Sequence, residues 1–323
     1  MKALEQLADE IIKGYQITKE EAMELTYADL NELTAEADRI REAMCGNGFD
    51  ICTIINAKSG KCSENCKYCA QSSFYDTQTE SYPLLAAEKI VEQAKYNDDR
   101  GVLRFSLVTS GKRLSDADVD LACEAIRDIK RETNIEVCIS MGLLDEANYR
   151  KLKEAGATRV HNNLETSERN FPNICTTHTF AEKKEALLAA RRAGLGICSG
   201  GIMGLGETME DRIDMALTLR ELQVKSVPVN MLNSIPGTPY EHNKRLDISD
   251  MQRIVAIYRF ILPNASIRLA GGRGLLADKG AKCFQSGANA AISGDMLTTS
   301  GITIDQDKQM IQKLGYEVRL WNE

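Results

Sequence analysis

Two rhythms of apolar residues run along this chain. Short β-branched runs alternate with longer stretches whose apolar positions recur every three to four residues, as strands followed by amphipathic helices do. The first 45 residues carry only the helical rhythm. There "ITKEEAM" holds a capping box, Thr18 with Glu21, and "TAEADRIREAMCGNG" runs amphipathically to a glycine stop. The alternation begins at "CTIINAK". "RFSLVTS" precedes a helix opening at Ser115 and Asp118, and "EVCISMG" precedes "DEANYRKLKEAG", which stops on Gly156. "RVHNNLE" precedes a helix boxed by Thr179 and Glu182, with Gly194 as its stop. "GICSGGIMGLGE" leads into "TMEDRIDMALTLREL", and "SVPVNML" leads into "SDMQRIVAIYRFILP", capped by Ser249 and Gln252 and closed by Pro263. "SIRLAGG" and "AAISGD" complete about eight strand candidates in βα order. That order predicts an α/β chain folded as a (β/α)8 TIM-type barrel. Residues 1–45 form an N-terminal helical extension, and residues 46–323 form the barrel with a C-terminal capping segment. A doubly wound open sheet shares the same periodicity and is the structural alternative.

The strands carry a second pattern. Barrel interiors are ordinarily filled by Val, Ile and Leu, yet the face opposite the aliphatics here is polar. Because side chains alternate faces, that face collects Ser106, Cys138, then His161, Asn163 and Glu165, then Cys198, Asn230 and Arg268. Buried arginines and carboxylates are costly unless paired. A lumen lined this way is expected to hold a polar ligand or a metal centre.

Composition narrows the class. A net charge of -7 argues against a nucleic-acid-binding surface. The charged start "MKALEQLADEIIKGYQ" and the lack of an 18-residue apolar run argue against a signal peptide or membrane span, so a cytoplasmic enzyme is expected. The ten cysteines are not spaced as a disulfide framework. Cys45, Cys52, Cys123 and Cys283 have no motif around them and read as buried packing residues.

Three cysteines do form a motif. "GKCSENCKYCAQ" places Cys62, Cys66 and Cys69 in C-x3-C-x2-C spacing, with Tyr68 before the last. A structural zinc site needs four ligands, and His161, His178 and His242 are isolated rather than paired at finger spacing. Three thiolates in so short a loop suit an iron–sulfur cubane that leaves one iron open to a small molecule. Tyr68 can stack on a nucleobase or simply pack.

This motif, early in a βα series, resembles the radical S-adenosylmethionine (SAM) enzymes. "YCAQSSFY", "HNNLETS", "ICSGGIMGLGET", "SVPVNMLNSIPGTP", "RLAGGRG", "FQSGANAAISGDMLTT" and "KLGYE" further resemble the biotin synthases in order and spacing. The resemblance implies a [4Fe-4S] cluster on Cys62, Cys66 and Cys69 with SAM chelated at the open iron. It implies radical insertion of sulfur between two unactivated carbons of dethiobiotin, with electrons from a flavodoxin- or ferredoxin-type donor, in a homodimer. It further implies that Gly200, Gly201, Gly204, Gly206 and Glu207 form the strand end over which SAM lies. Asn163 matches a residue between SAM and substrate, and Glu165 stands at the place of an aspartate for the SAM ribose. Lys183 stands at the place of an arginine near the SAM carboxylate, although a solvated helix face accounts for it equally. His161 replaces an asparagine, Asn230 matches a residue bonding the ureido ring, and Thr298 and Thr299 match a pair near the substrate tail.

The same resemblance implies an auxiliary iron–sulfur cluster in the barrel as sulfur donor, held by three cysteines and an arginine. Cys138, Cys198 and Arg268 keep three of those positions, but Ser106 replaces the remaining cysteine. A neutral hydroxyl is a poor soft-metal ligand. Cys175, in the loop after the His161 strand, is the expected substitute, in a cluster of two or more irons. A mutase or a metallocofactor maturase on another substrate, and a non-catalytic metal-binding protein, are the rival readings.

Overall fold

The computed structural model describes residues 3–320. Three helices lead: α1 (Leu4–Ile12), α2 (Lys19–Glu24) and α3 (Leu30–Cys45). They lie outside the sheet, with α1 on α3 and α2 beside the later helices. The expected capping box at Thr18 and Glu21 starts α2.

Ten strands follow in parallel: β1 (Gly48–Lys58), β2 (Arg104–Thr109), β3 (Glu136–Ser140), β4 (Ala157–His161), β5 (Gly196–Cys198), β6 (Gly201–Met203), β7 (Ser226–Met231), β8 (Ser266–Leu269), β9 (Ala290–Ile292) and β10 (Glu317–Val318). β9 pairs with β1, Asp50 opposite Ala290, and this pairing closes the barrel. An open sheet is thereby excluded. β5 and β6 are two pieces of one stave, since β5 pairs with β4 and both pieces pair with β7. The barrel therefore has eight staves, and β10 lies outside them against the start of β1.

Helices α4 (Ala87–Asp98), α5 (Asp116–Glu132), α6 (Glu146–Ala155), α7 (Phe171–Ile174), α8 (Phe180–Arg192), α9 (Met209–Glu221), α10 (Ile248–Ile261), α11 (Ala281–Phe284) and α12 (Ile304–Lys313) complete the chain. Ser115 caps α5 and Thr179 boxes α8 with Glu182, as their sequences predict. α10 differs. Its cap is Asp247, boxed with Asp250, rather than Ser249 with Gln252. Asp247 sits one residue before the helix and its carboxylate accepts from the Asp250 N–H, so Ser249 falls inside the first turn.

The apolar face of each strand packs on the helices, while the inner face carries charge. Asp50 is fully buried and meets Arg104 Nε and Arg268 Nη2, each at 2.9 Å. Arg159, also buried, stands nearby. Burial opposes ionisation of Asp50, but Arg268 and Arg104 outweigh it and hold the carboxyl at about 2 instead of 3.8. The contribution of that ionisation to stability is therefore complete above about pH 4 and is lost as the pH falls through 2. Replacing the carboxylate leaves buried guanidiniums unpaired. Asp50→Asn is expected to lower stability at neutral pH by about 3–5 kcal/mol, read as a lower urea midpoint. A midpoint equal to that of the parent chain would contradict the pairing.

Candidate active site

The inner face opens into one cavity of about 410 Å³ at the ends of the strands. Ser106, Cys138, His161, Cys198, Asn230 and Arg268, drawn from six staves, all line it. Alternation alone brings them together. Asn163 and Glu165 line it as well, but not as strand residues, because β4 ends at His161. The chain turns there through a left-handed Glu165, φ 72°. Glu165 Oε2 is buried without a hydrogen-bond partner. A strained backbone carrying an orphaned acceptor into a cavity is a feature of binding sites.

At the mouth, the loop between β1 and α4 carries Cys62, Cys66 and Cys69, all half-buried and none in a disulfide. The loop is tied to itself. Cys62 N–H donates to Gln71 O at 3.0 Å, Ser73 N–H to Cys62 O at 2.9 Å, and Cys69 N–H to Cys66 O at 3.0 Å. Cys62, Tyr68 and Cys69 face the cavity, as do Thr298 and Thr299 in the segment after β9, the stave next to β1. Among the described residues, the only trio of thiol, imidazole or carboxylate groups whose ligand atoms come within 4.8 Å of one another is Cys66, Cys175 and His178. The three loop sulfurs are thus too widely spread for a single ion. Their all-thiolate character and separation fit a multi-iron cluster.

A second set of thiols lies deeper. Cys52, on the same face of β1 as Asp50, lines the cavity with Cys138 and Cys198. Its neighbour across the sheet is Arg104, while Ser106 pairs with Ile54 one step further along. The third thiol therefore stands on the stave beside Ser106. Cys52 is the residue that motif reading missed. It opens "CTIINAK" and lies on the alternating face that runs Asp50, Cys52, Ile54, with no motif around it. These thiols also fail to close around one ion. Burial pushes the Cys138 and Cys52 thiols up. Burial also opposes ionisation of Cys198, yet His161 Nδ1 at 3.5 Å, with Arg159 and Arg268, brings it down to about 7. Three guanidiniums, those of Arg104, Arg159 and Arg268, face the single carboxylate of Asp50, and that excess favours an anionic, thiolate-held occupant.

Cys175 is not where the sequence reading puts it. It follows α7 directly, and that short helix leans over the cysteine loop: Lys67 N–H donates to Ile174 O at 2.9 Å, and Asn65 Oδ1 accepts from Thr176 N–H at 2.9 Å. The Cys175 sulfur consequently sits against Cys66, outside the set formed by Cys138 and Cys198. Lys183 is neither solvated nor at the cavity wall; it is buried, with Nζ donating to Asn162 Oδ1 at 3.1 Å.

The glycine-rich segment is accounted for by packing. A Cβ on Gly200 would overlap the carbonyl of Pro228 in β7, and one on Gly201 would overlap the carbonyl of Glu165. Gly200 N–H donates to Asn163 Oδ1 at 3.0 Å, so the same residue also holds a cavity side chain. Gly204 and Gly206 are left-handed turn residues. Glu207 folds back on that turn, accepting from Gly204 N–H at 2.8 Å and from Arg212 at 2.7 Å. Asn230 is likewise clamped, its amide donating to Gly201 O at 3.0 Å and accepting from Gly271 N–H at 2.8 Å.

A thiolate-rich loop over the mouth of a (β/α)8 barrel defines the radical SAM class, and residues 57–219 match the Radical SAM superfamily. Residues 228–317 match the Biotin and Thiamin Synthesis associated domain. The chain belongs to the biotin synthase family. It is 58% identical to the biotin synthase of Brachyspira hyodysenteriae over 98% of this chain and 96% of that protein. It is 54% identical to the biotin synthase of Akkermansia muciniphila over 99% and 100% of the two chains. In fold it is similar to methylornithine synthase, with a TM-score of 0.82 at 21% identity over 98% of each chain. It is similar also to the FeFe-hydrogenase maturase of Carboxydothermus hydrogenoformans, with a TM-score of 0.80 at 18% identity, covering 97% of this chain and 78% of that one.

Gly200→Ala forces a methyl group into the Pro228 carbonyl and is expected to destabilise the protein by about 1–3 kcal/mol. Gly274→Ala, which meets nothing within 4 Å, is the matched control and is expected to stay within about 0.5 kcal/mol. Thermal unfolding of the two variants makes the comparison; equal losses would refute the packing account.

Proposed function

We propose that this chain converts dethiobiotin to biotin, and that the reaction uses both thiol sets of the one cavity. The observation that carries this reading is that Cys62 and Cys69 at the mouth and Cys52, Cys138 and Cys198 in the lumen line the same space. Cys62, Cys66 and Cys69 would hold the [4Fe-4S] cluster that binds SAM, and Cys52, Cys138 and Cys198, with Arg268, the auxiliary iron–sulfur cluster. When bound, the first supplies the electron that cleaves SAM to a 5'-deoxyadenosyl radical, and the second supplies the sulfur.

The remaining residues bind and orient. Glu165, whose buried oxygen lacks a partner, accepts from the SAM ribose hydroxyls, and Tyr68 stacks near the adenine. Asn163 sits between SAM and substrate. His161 faces the substrate, and its Nδ1, 3.5 Å from the Cys198 sulfur, steadies a ligand of the auxiliary cluster. Asn230 forms a fixed wall for the ureido ring, while Thr298 and Thr299 meet the carboxylate tail. Gly200, Gly201, Gly204 and Glu207 shape the strand end beneath SAM, and Lys183 acts through Asn162 rather than by direct contact. Arg268 places a permanent positive charge beside the sulfur-donating centre.

A flavodoxin- or ferredoxin-type donor, a homodimeric state and a cytoplasmic location are proposed with this activity and rest on the family. No helix among the described residues is long and apolar enough to cross a membrane.

Anaerobic incubation with SAM, a low-potential reductant and dethiobiotin tests the reading, with 5'-deoxyadenosine and biotin as separate readouts. The parent chain is expected to yield both and Cys62→Ala neither. Cys52→Ala is expected to keep deoxyadenosine formation, lose biotin and bind less iron, whereas Ser106→Ala keeps all three. SAM cleavage without biotin in the parent chain would reject the substrate, and an unchanged iron content in Cys52→Ala would reject its role as ligand.

A further inference from the structure

The chain between β9 and α12 forms one wall of the cavity, and its two ends are fixed. Gly294 N–H donates to Ile302 O at 2.7 Å, and the Ser293 hydroxyl donates to the buried Asp307. A Cβ on Gly301 would overlap the Gly294 carbonyl, so the base of the loop is closed. Arg273 clamps Asp307 from the other side, at 2.8 and 2.6 Å. Residues 295–301, between those ends, are different. None of them is fully buried. Their own hydrogen bonds, Met296 N–H to Thr299 O at 2.9 Å and Gly301 N–H to Asp295 Oδ1 at 3.3 Å, only round off the turn. Met296, Leu297, Thr298 and Thr299 nevertheless line the cavity. A segment with so few anchors has low local stability.

Among the described residues, one hydrogen bond reaches that segment from another element: Asn56 Nδ2 donates to Leu297 O at 3.0 Å. Asn56 lies near the end of β1, the stave paired with β9. It continues the face of Asp50, Cys52 and Ile54 but does not itself line the cavity. The strand is irregular at this point. Asn56 stands opposite Val108 and Lys58 opposite Thr109, so β1 carries one residue more than β2. Such irregularities re-aim side chains beside active sites. The Tyr82 hydroxyl, donating to Asn56 O at 2.8 Å, pins the backbone there. As a packing residue Asn56 is a poor choice, because Oδ1 is buried without a hydrogen-bond partner. Turning the amide over would only set that oxygen against the Leu297 carbonyl. An unmatched buried acceptor destabilises, and an apolar side chain of the same shape would relieve it. What the amide does supply is the hold on Leu297.

We propose that Asn56 is a positioning residue for the substrate: its amide holds residues 295–301 to β1 and so sets Thr298 and Thr299 where they meet the substrate tail. The role rests on the assignment of that pair to the carboxylate tail of dethiobiotin. Asn56 acts through Leu297 and touches neither substrate nor SAM. Losing it weakens the binding of one substrate and leaves the chemical step alone, which separates half-saturation from maximal rate.

The test uses the reconstituted full-length chain under anaerobic conditions and two variants that lack the donor, Asn56→Leu and Asn56→Asp. Hydrogen–deuterium exchange of residues 295–301 is expected to quicken in both by about two- to tenfold, the worth of one hydrogen bond. The dethiobiotin concentration giving half of the maximal initial rate of biotin formation is expected to rise by a similar factor. The maximal rate, and the SAM concentration that half-saturates 5'-deoxyadenosine formation, are expected to stay within about twofold. Asn56→Leu is also expected to unfold at a temperature no lower than the parent chain, since it removes the unmatched acceptor; a residue serving the fold alone would not behave so. Unchanged exchange in both variants overturns the tether. Faster exchange with unchanged half-saturation, or a loss confined to the maximal rate, overturns the positioning role. If Asn56→Leu does not fold, Asn56→Asp decides on the same readings. A parent chain that cleaves SAM and forms no biotin removes instead the substrate reading beneath the role, and faster exchange in the variants keeps that failure apart from failure of the tether.

Discussion

The ion pairs of Asp50 with Arg104 and Arg268, each at 2.9 Å in the centre of the barrel, govern what else the lumen can contain. A barrel interior is normally sealed by interlocking aliphatic side chains. Here one carboxylate is shared between two guanidiniums, with a third at Arg159 close by. Folding can tolerate that charge because Asp50 ties β1 to β2 through Arg104 and, across β9, to β8 through Arg268, which also donates to Asp50 O and Ala291 O at 3.0 Å each. The same charge surplus lowers the cost of thiolates at Cys52, Cys138 and Cys198. The charges of Asp50 and its guanidiniums and the thiols beside them are one arrangement.

Above the floor the cavity is layered. The lumen thiols are set by strand register and are rigid, because each stave is hydrogen-bonded on both sides. The mouth thiols lie on a loop and depend on local hydrogen bonds and on the segment after α7. The acceptor at Glu165 lines the same cavity, on a left-handed residue held by two backbone bonds, its carbonyl accepting from Ile202 N–H at 2.9 Å and its N–H donating to Gly200 O at 3.0 Å. Two sets of thiols at different depths of one cavity, with hydrogen-bonding groups such as Asn163 and Glu165 on the same wall, are the geometry on which the proposed reaction rests.

Much of this was legible in the sequence, for a physical reason. Alternation along a strand is a property of the backbone, so the polar inner face from Ser106 to Arg268 could be read without knowing the fold, and every member of it lines the cavity. Caps at Thr18, Ser115 and Thr179 were legible for a like reason, since they act within one turn. Three features were not. Cys52 was passed over because no motif surrounds it and a lone cysteine on a strand reads as a packing residue. Cys175 was misplaced because a loop's course is decided by distant partners, here Asn65 and Lys67. Lys183 sits on a helix dense in charge, and only the tertiary fold shows its ammonium tucked against Asn162.

The break in the fifth stave has a consequence for how such a site can change over time. Where β5 gives way to β6, the barrel wall is built from the backbones of Gly200 and Gly201 pressed against those of Pro228 and Glu165. That part of the wall has no side chain to exchange, and any residue larger than glycine collides with main chain on the next stave. Change in the cavity lining is therefore confined to the rest of the perimeter, as at His161 on one side and Thr298 and Thr299 on the other. One quadrant of the site is frozen by geometry, and the others remain open to variation.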